Sequence, residues 1–272
     1  STLSAWGKVT EHSLSRITSK PDWGIDSVVS DSIEYLVALE KIKELPFCNL
    51  IKFKSTRQKK VDRKVLIIAP MSGHYATLTR NTVISLLPNC DVYVTDWKNA
   101  RDVPFSAGKF DIEDFTKYLV DFFRDLSPDL NVMAVCQPAP LALAAAAITS
   151  ERFPEFNPKS LALIGGPIDP DANPTDVTDF GRRTSMEALE STVTMPVGLN
   201  YKGVGREVYP GAIQLASFMA MNQETHSKAF IDQIEKEASG QASEYDRHNK
   251  FYDEYLAVMD MTAEFYLSTV DR

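Results

Sequence analysis

The feature that most constrains the fold is a short apolar run, Val132, Met133, Ala134 and Val135, that ends on Cys136. After Gln137 and Pro138 it gives way to an alanine-rich helical run through Ile148. A strand that turns sharply into a helix lifts the turning residue above its sheet and aims the helix N-terminus at it, the geometry of a nucleophile elbow. Backbone N–H groups at a helix start, with the positive end of its dipole, stabilise both a thiolate and a developing oxyanion. Pro138 and Pro140 suit the first helical turn, where a missing N–H costs little. The usual Gly-x-Ser-x-Gly string is replaced here by Ala134, Val135, Cys136, Gln137 and Pro138. On these residues alone two readings stand: a catalytic Cys136, or a buried structural thiol, since free cysteine is among the most buried residue types.

Upstream, Val65, Leu66, Ile67, Ile68 and Ala69 form a continuous apolar run rich in β-branched residues, the mark of a strand buried on both faces of a parallel sheet. A glycine turn over 70–75 follows, then a helix over 78–87 and a strand over 91–97. The spacing of Ile112, Phe115, Leu119, Phe122 and Phe123 predicts a helix over 110–126, with Asp111 as its N-cap. After the Cys136 strand and helix comes a further strand over 160–166. Strands and helices alternating at this rhythm imply an α/β, doubly wound, mostly parallel sheet. Reactive groups in such sheets lie beyond the carboxyl ends of the strands. The loop after the first buried strand is where an oxyanion hole finds its second donor, which makes the Met71 and Ser72 amides candidates beside that of Gln137. Donors of this kind are worth roughly 3–4 kcal/mol of barrier each. His74 on the same loop either acts at the site or hydrogen-bonds the loop; Ser72, Gly73 and His74 also read as a plain tight turn.

The rest of the composition mainly excludes. With 44% hydrophobic and 24% charged residues, the 272-residue chain has the make-up of an ordinary globular protein. No run approaches the ~18 apolar residues of a membrane span, and no basic region followed by an apolar stretch marks a secretory signal. Cys48, Cys90 and Cys136 are too widely spaced for a metal pattern or a disulfide framework, which points to no metal and a reduced, cytosolic setting. A net charge of −8 argues against nucleic acid as a partner. The basic stretch over 52–64 reads as a solvated loop. Residues 31–40 fit either a strand pair or a helix, residues 46–53 fit a strand with Cys48 as a packing residue, and residues 1–19 read as an arm. Three regions follow: 1–60, the N-terminal arm and edge elements; 61–168, the α/β core; 169–272, an inserted helical cap.

Several strings carry a resemblance. Pro46-Phe47-Cys48, the run from Ala69 to Leu78, Thr95-Asp96-Trp97 with Ala100-Arg101 and Val103-Pro104, and the Cys136 string are among them. So are Gly165-Gly166-Pro167-Ile168-Asp169, Val208-Tyr209-Pro210-Gly211 and the run from Phe251 to Asp260. Together, and in this order, they resemble the intracellular polyhydroxyalkanoate (PHB) depolymerases. The resemblance implies an α/β-hydrolase-like fold, no cofactor, and a nucleophile at Cys136. The thiolate would attack an ester carbonyl of poly(3-hydroxybutyrate) and leave a thioester for water or another acceptor to release. It also implies a cytoplasmic protein at the surface of polyhydroxybutyrate granules, with the granule or its oligomers as partner. In that family the acid and base lie beyond the string that here runs from Glu264 to Val270, and the sequence stops at Arg272. The last strands of the sheet are then expected to be missing, leaving the 160–166 strand as an exposed edge. A fragment is the expected reading, beside one half of a two-piece enzyme whose separate C-terminal piece carries Asp and His, or a shortened homologue. In each case the isolated chain is expected to be a poor esterase. His226 and His248 are the histidines after Cys136 and read as helical surface, while His12 lies in the arm. Residues 212–221 and 251–259 read as core, or as an apolar surface for the polymer. Two other functions stay open: a polyester synthase, whose elbow normally carries glycines, and a non-catalytic granule-binding protein.

Overall fold

The computed structural model describes residues 19–58, 63–172, 174, 179, 183–221 and 254–271, the side chains of 218–221 excepted. The arm over 1–18, Lys59, Lys60, His226, His248 and residues 251–253 lie outside it.

Among the described residues, seven strands form one sheet in the order β1-β2-β3-β5-β4-β6-β7. They are β1 (Ser27–Ser30), β2 (Ile33–Glu44), β3 (Cys48–Ser55), β4 (Lys64–Ile68), β5 (Asp91–Trp97), β6 (Leu130–Val135) and β7 (Ser160–Ile164). The antiparallel ribbon β1-β2-β3 leads onto β5, and β5, β4, β6 and β7 run parallel. Residues 31–40 therefore belong to a strand pair. Asp31 and Ser32 adopt positive φ (53° and 63°), as a two-residue primed hairpin turn requires.

β4 lies between β5 and β6, and Leu66, Ile67 and Ile68 are fully buried there, as a strand covered on both faces demands. A single 3₁₀ turn (Ala76–Thr79) precedes α1 (Arg80–Leu86), so the helix after β4 starts later than the apolar spacing predicts. α2 (Ile112–Leu126) opens on a capping box, in which Asp111 accepts from the Glu113 and Asp114 N–H groups and Asp114 accepts from the Asp111 N–H. Its Phe115 stacks on Trp97 of β5 with centroids 4.2 Å apart. α3 (Ala139–Arg152) turns Ala139, Ala142, Ala145 and Thr149 inward, small side chains that let it lie close to the sheet.

The described part of the basic stretch is only partly loop, over 56–58 and at Arg63. Its first four residues belong to β3, Lys52 pairs with Asp91, Arg57 with Asp31, and Lys64 donates to the Leu126 and Pro128 carbonyls. Such anchored cations close the seams between strand ends.

Among the described residues, β7 has its pairing partner on one side only and exposes nearly half of Ile164. Beyond it lie α4 (Met186–Val193), a small antiparallel sheet of β8 (Met195–Pro196), β9 (Glu207–Tyr209) and β10 (Met261–Thr262), α5 (Gly211–Met221) and α6 (Ala263–Asp271). α6 is not confined to the cap. Its Phe265 is fully buried against Phe110 and Phe115, closing the aromatic cluster on the main sheet.

Candidate active site

β6 ends at Val135, and the next residue turns the chain. Cys136 has φ +66°, a left-handed conformation that L-residues rarely adopt outside strained or functional turns. Its N–H donates to the Ile164 carbonyl (2.7 Å) and its carbonyl accepts from Ala139 N–H (3.1 Å), so both backbone groups are held while the side chain stays exposed. Cys48 and Cys90 are buried, and burial pushes the Cys48 thiol up. Exposure separates Cys136 from these packing thiols and removes the buried-structural reading.

The elbow strings of this type carry glycines because neighbouring backbone comes close. Here that glycine sits on the adjacent strand end. A Cβ on Gly166 would lie 2.3 Å from Ala139 Cβ and 2.4 Å from the Cys136 carbonyl oxygen, closer than real Cβ contacts allow. Ala134 and Pro138 can replace glycine in the elbow because Gly166 yields the space instead.

The loop after β4 meets this turn. The Met71 N–H donates to Gln137 Oε1 at 3.1 Å, while the N–H groups of Ser72 and Gln137 meet no acceptor among the described residues. Gly73 is needed for the turn, since its φ is +84° and a Cβ would come within 2.6 Å of Gln214 Oε1. The loop is then stitched to the 254–259 segment. The Met259 N–H donates to the Gly73 carbonyl (2.8 Å), His74 pairs with Val258 as an isolated bridge, and Thr77 Oγ1 donates to Glu254 Oε2 (2.7 Å). Arg80 pairs with the same carboxylate.

His74 is buried, and its Nε2 lies 3.0 Å from the Tyr255 carbonyl oxygen, which can only accept. Burial holds its pKa below the ordinary histidine value, against the opposing pull of the Tyr255 and Ser72 backbone and Glu254. It therefore tethers the loop as a neutral ring. No described residue hydrogen-bonds Cys136 Sγ, so the described groups bring no base to the thiol. Leu256, Ala257, Val258 and Met259 are buried, so this part of 251–259 is core rather than polymer-facing surface. β8 and the loop joining it to β9 carry the exposed apolar side chains instead, with Leu199 91% exposed and Met195, Tyr201 and Val204 more than a third exposed. Sequence pattern gave no sign of them, because isolated apolar residues in a glycine-rich loop have no period.

An antiparallel ribbon feeding a parallel set, with a left-handed residue between its strand β6 and the next helix, defines an α/β-hydrolase-like fold with a sharp strand-to-helix turn at Cys136. Residues 165–272 match the family model described as PHB de-polymerase C-terminus, so the resemblance read from the sequence holds over this stretch. No curated protein matches the chain. Among solved structures, it is similar to esterase B from Lactobacillus rhamnosis inhibited by a tributyrin phosphonate (17% identity, 64% of this chain and 59% of that chain, TM-score 0.37). It is also similar to the Francisella virulence factor BioJ (15% identity, 59% and 50% covered, TM-score 0.36) and to EstFA (14% identity, 65% and 57% covered, TM-score 0.40). The chain spans about half the length of solved structures that it matches. The fold assignment rests on the sheet order and the elbow, not on these scores. No described helix is long and apolar enough to cross a membrane.

Proposed function

We propose that this chain is the nucleophile-bearing part of an ester hydrolase acting on poly(3-hydroxybutyrate)-type polyester at the surface of cytoplasmic storage granules. The observation that carries the reading is Cys136, exposed at φ +66° between β6 and α3. The thiolate attacks the ester carbonyl, the alkoxide leaves with a proton, and water hydrolyses the thioester. In this reading the oxyanion is received by N–H groups from Gln137, Met71 and Ser72, two of which have no acceptor among the described residues. Gln137 Oε1 holds the third in this structure, so in this reading that bond must break for the Met71 N–H to receive the oxyanion. The family match over 165–272 supports the polymer as substrate, and the exposed Met195, Leu199, Tyr201 and Val204 suit an insoluble apolar surface. In this reading the acid and base lie outside the described residues, among which β7 pairs on one side only and Leu161 and Leu163 are only partly covered.

The thiol without a described partner favours one second reading, a homologue that binds granules without turnover. Labelling separates the two. Buried Cys48 and Cys90 are poor controls, so the rate of labelling by a thiol-reactive ester analogue is divided by that of iodoacetamide. An activated Cys136 exceeds the ratio of a cysteine in a short peptide at least tenfold at neutral pH. An equal ratio would leave granule binding as the function. An intact-mass measurement on the same sample shows whether a second peptide accompanies the chain.

A further inference from the structure

A cavity of about 230 Å³ lies between the loop after β5 and the small sheet, and Cys136 is not among its lining residues. The volume is below the ~300–1,000 Å³ of sites for drug-sized ligands, so it suits a small molecule. Val197, Val208 and Val258 make an apolar wall, interrupted by two charged groups, Arg101 and Asp260. The Arg101 guanidinium lies 5.0 Å over the Tyr201 ring, and its Nε is buried without a hydrogen-bond partner. No described carboxylate forms an ion pair with it. A buried cationic donor left unpaired is costly, and an arriving anion removes that cost. Asp260 supplies the complement. Its Oδ1 accepts from the Gly211 N–H (2.9 Å), and its second oxygen takes no hydrogen bond from the described residues. The pocket is preformed. The Gly203 N–H donates to the Arg101 carbonyl (2.8 Å), the Ala100 N–H to the Asp260 carbonyl (3.0 Å), and a Cβ at Gly203 would come within 2.9 Å of three carbonyl oxygens.

A cationic donor and a free acceptor on one apolar wall match a ligand with a carboxylate, a short carbon chain and a hydroxyl. We propose that this cavity binds a short-chain hydroxycarboxylic acid, the carboxylate on Arg101 and the hydroxyl donating to Asp260. The choice of a released monomer as that acid rests on the polyester reading. Val258 belongs both to the cavity wall and to the bridge with His74, so the occupant would sit one residue from the loop that carries Met71.

Isothermal titration of the full chain with 3-hydroxybutyrate, its methyl ester and butyrate tests this. The acid is expected to bind at least tenfold more tightly than the methyl ester, and butyrate about threefold more weakly than the hydroxy acid. Arg101→Met should weaken the acid at least tenfold and leave the ester unchanged, with Arg101→Lys restoring part of the loss. Equal binding of acid and ester, no binding of either, or an Arg101→Met protein that binds the acid normally would overturn the proposal. If Arg101→Met does not fold by circular dichroism, the acid-against-ester comparison on the unaltered chain decides. Acid binding without Cys136 activation would leave the subsite standing and remove the polyester reading. Activation without acid binding would remove the subsite alone.

Discussion

The Met71 amide and the Gln137 side chain are joined across the ends of β4 and β6, the N–H donating to Oε1 at 3.1 Å. One side chain thus ties the loop after one strand to the turn after its neighbour, and caps a donor that chemistry would need. Replacing Gln137 by Leu keeps the size and removes the acceptor. The variant is expected to lose about 1 kcal/mol of stability in a urea titration, the ordinary net worth of one such bond. An unchanged midpoint would show the contact contributes nothing in solution.

Gly166 and Gly165 offer a matched pair. At Gly166 a Cβ meets Ala139 Cβ at 2.3 Å and the Cys136 carbonyl at 2.4 Å, whereas at Gly165 it meets nothing but the φ is +62°. Gly166→Ala should therefore cost roughly 2–4 kcal/mol through overpacking and displace the elbow. Gly165→Ala should cost only about 1 kcal/mol of backbone strain. Thermal melting of both variants, with Cys136 labelling alongside, checks the order. Equal losses would contradict the close approach.

The left-handed Cys136 should make the native thiol a stability liability. Cys136→Gly removes the Cβ at φ +66°, and the gain should be about 1 kcal/mol in unfolding free energy. Labelling disappears in the same protein. A destabilised glycine variant would mean that the side chain makes contacts worth more than the strain.

His74 gives a pH signature. Its native pKa lies below the ordinary histidine value because the ring is buried. Above the ordinary value the ring is neutral in both folded and unfolded chains and the native contact is intact. As pH drops through that value the unfolded chain takes up a proton that the native ring refuses. Stability then declines, levelling off below the native pKa. Urea midpoints measured from pH 7.5 to 5 should fall, and His74→Gln, which keeps a donor near the Tyr255 carbonyl, should flatten that slope. A variant with the wild-type slope would assign the pH dependence to other groups.

Which parts of this arrangement the sequence reveals follows from how each segment is buried. β4, β5 and α2 are legible because a strand covered on both faces must be continuously apolar and a capped amphipathic helix repeats near every fourth residue. The hairpin of β1 and β2 is ambiguous because Ile33, Leu36, Leu39 and Ile42 are all substantially exposed, so apolar residues there do not mark an inner face. β3 hides its second half behind Lys52 and Lys54, and the charge of Lys52 is met by Asp91, distant in sequence. At the site, the strand-cysteine-helix string announces the elbow. The placing of Arg101 and Asp260 on the lining of one cavity has no local signal, because 159 residues separate them.

The loop that carries Met71 is fastened by residues far along the chain, with Thr77 and Glu254 177 positions apart and His74 and Tyr255 181 apart. Synthesis from the N-terminus delivers β4, β6 and the Cys136 turn well before those fasteners emerge. A nascent chain that has reached α3 already bends at its cysteine, yet its companion amide is still untethered. Under the proposed function the thiol would thus be built early and armed last, sparing the growing polypeptide a reactive centre while its sheet is incomplete.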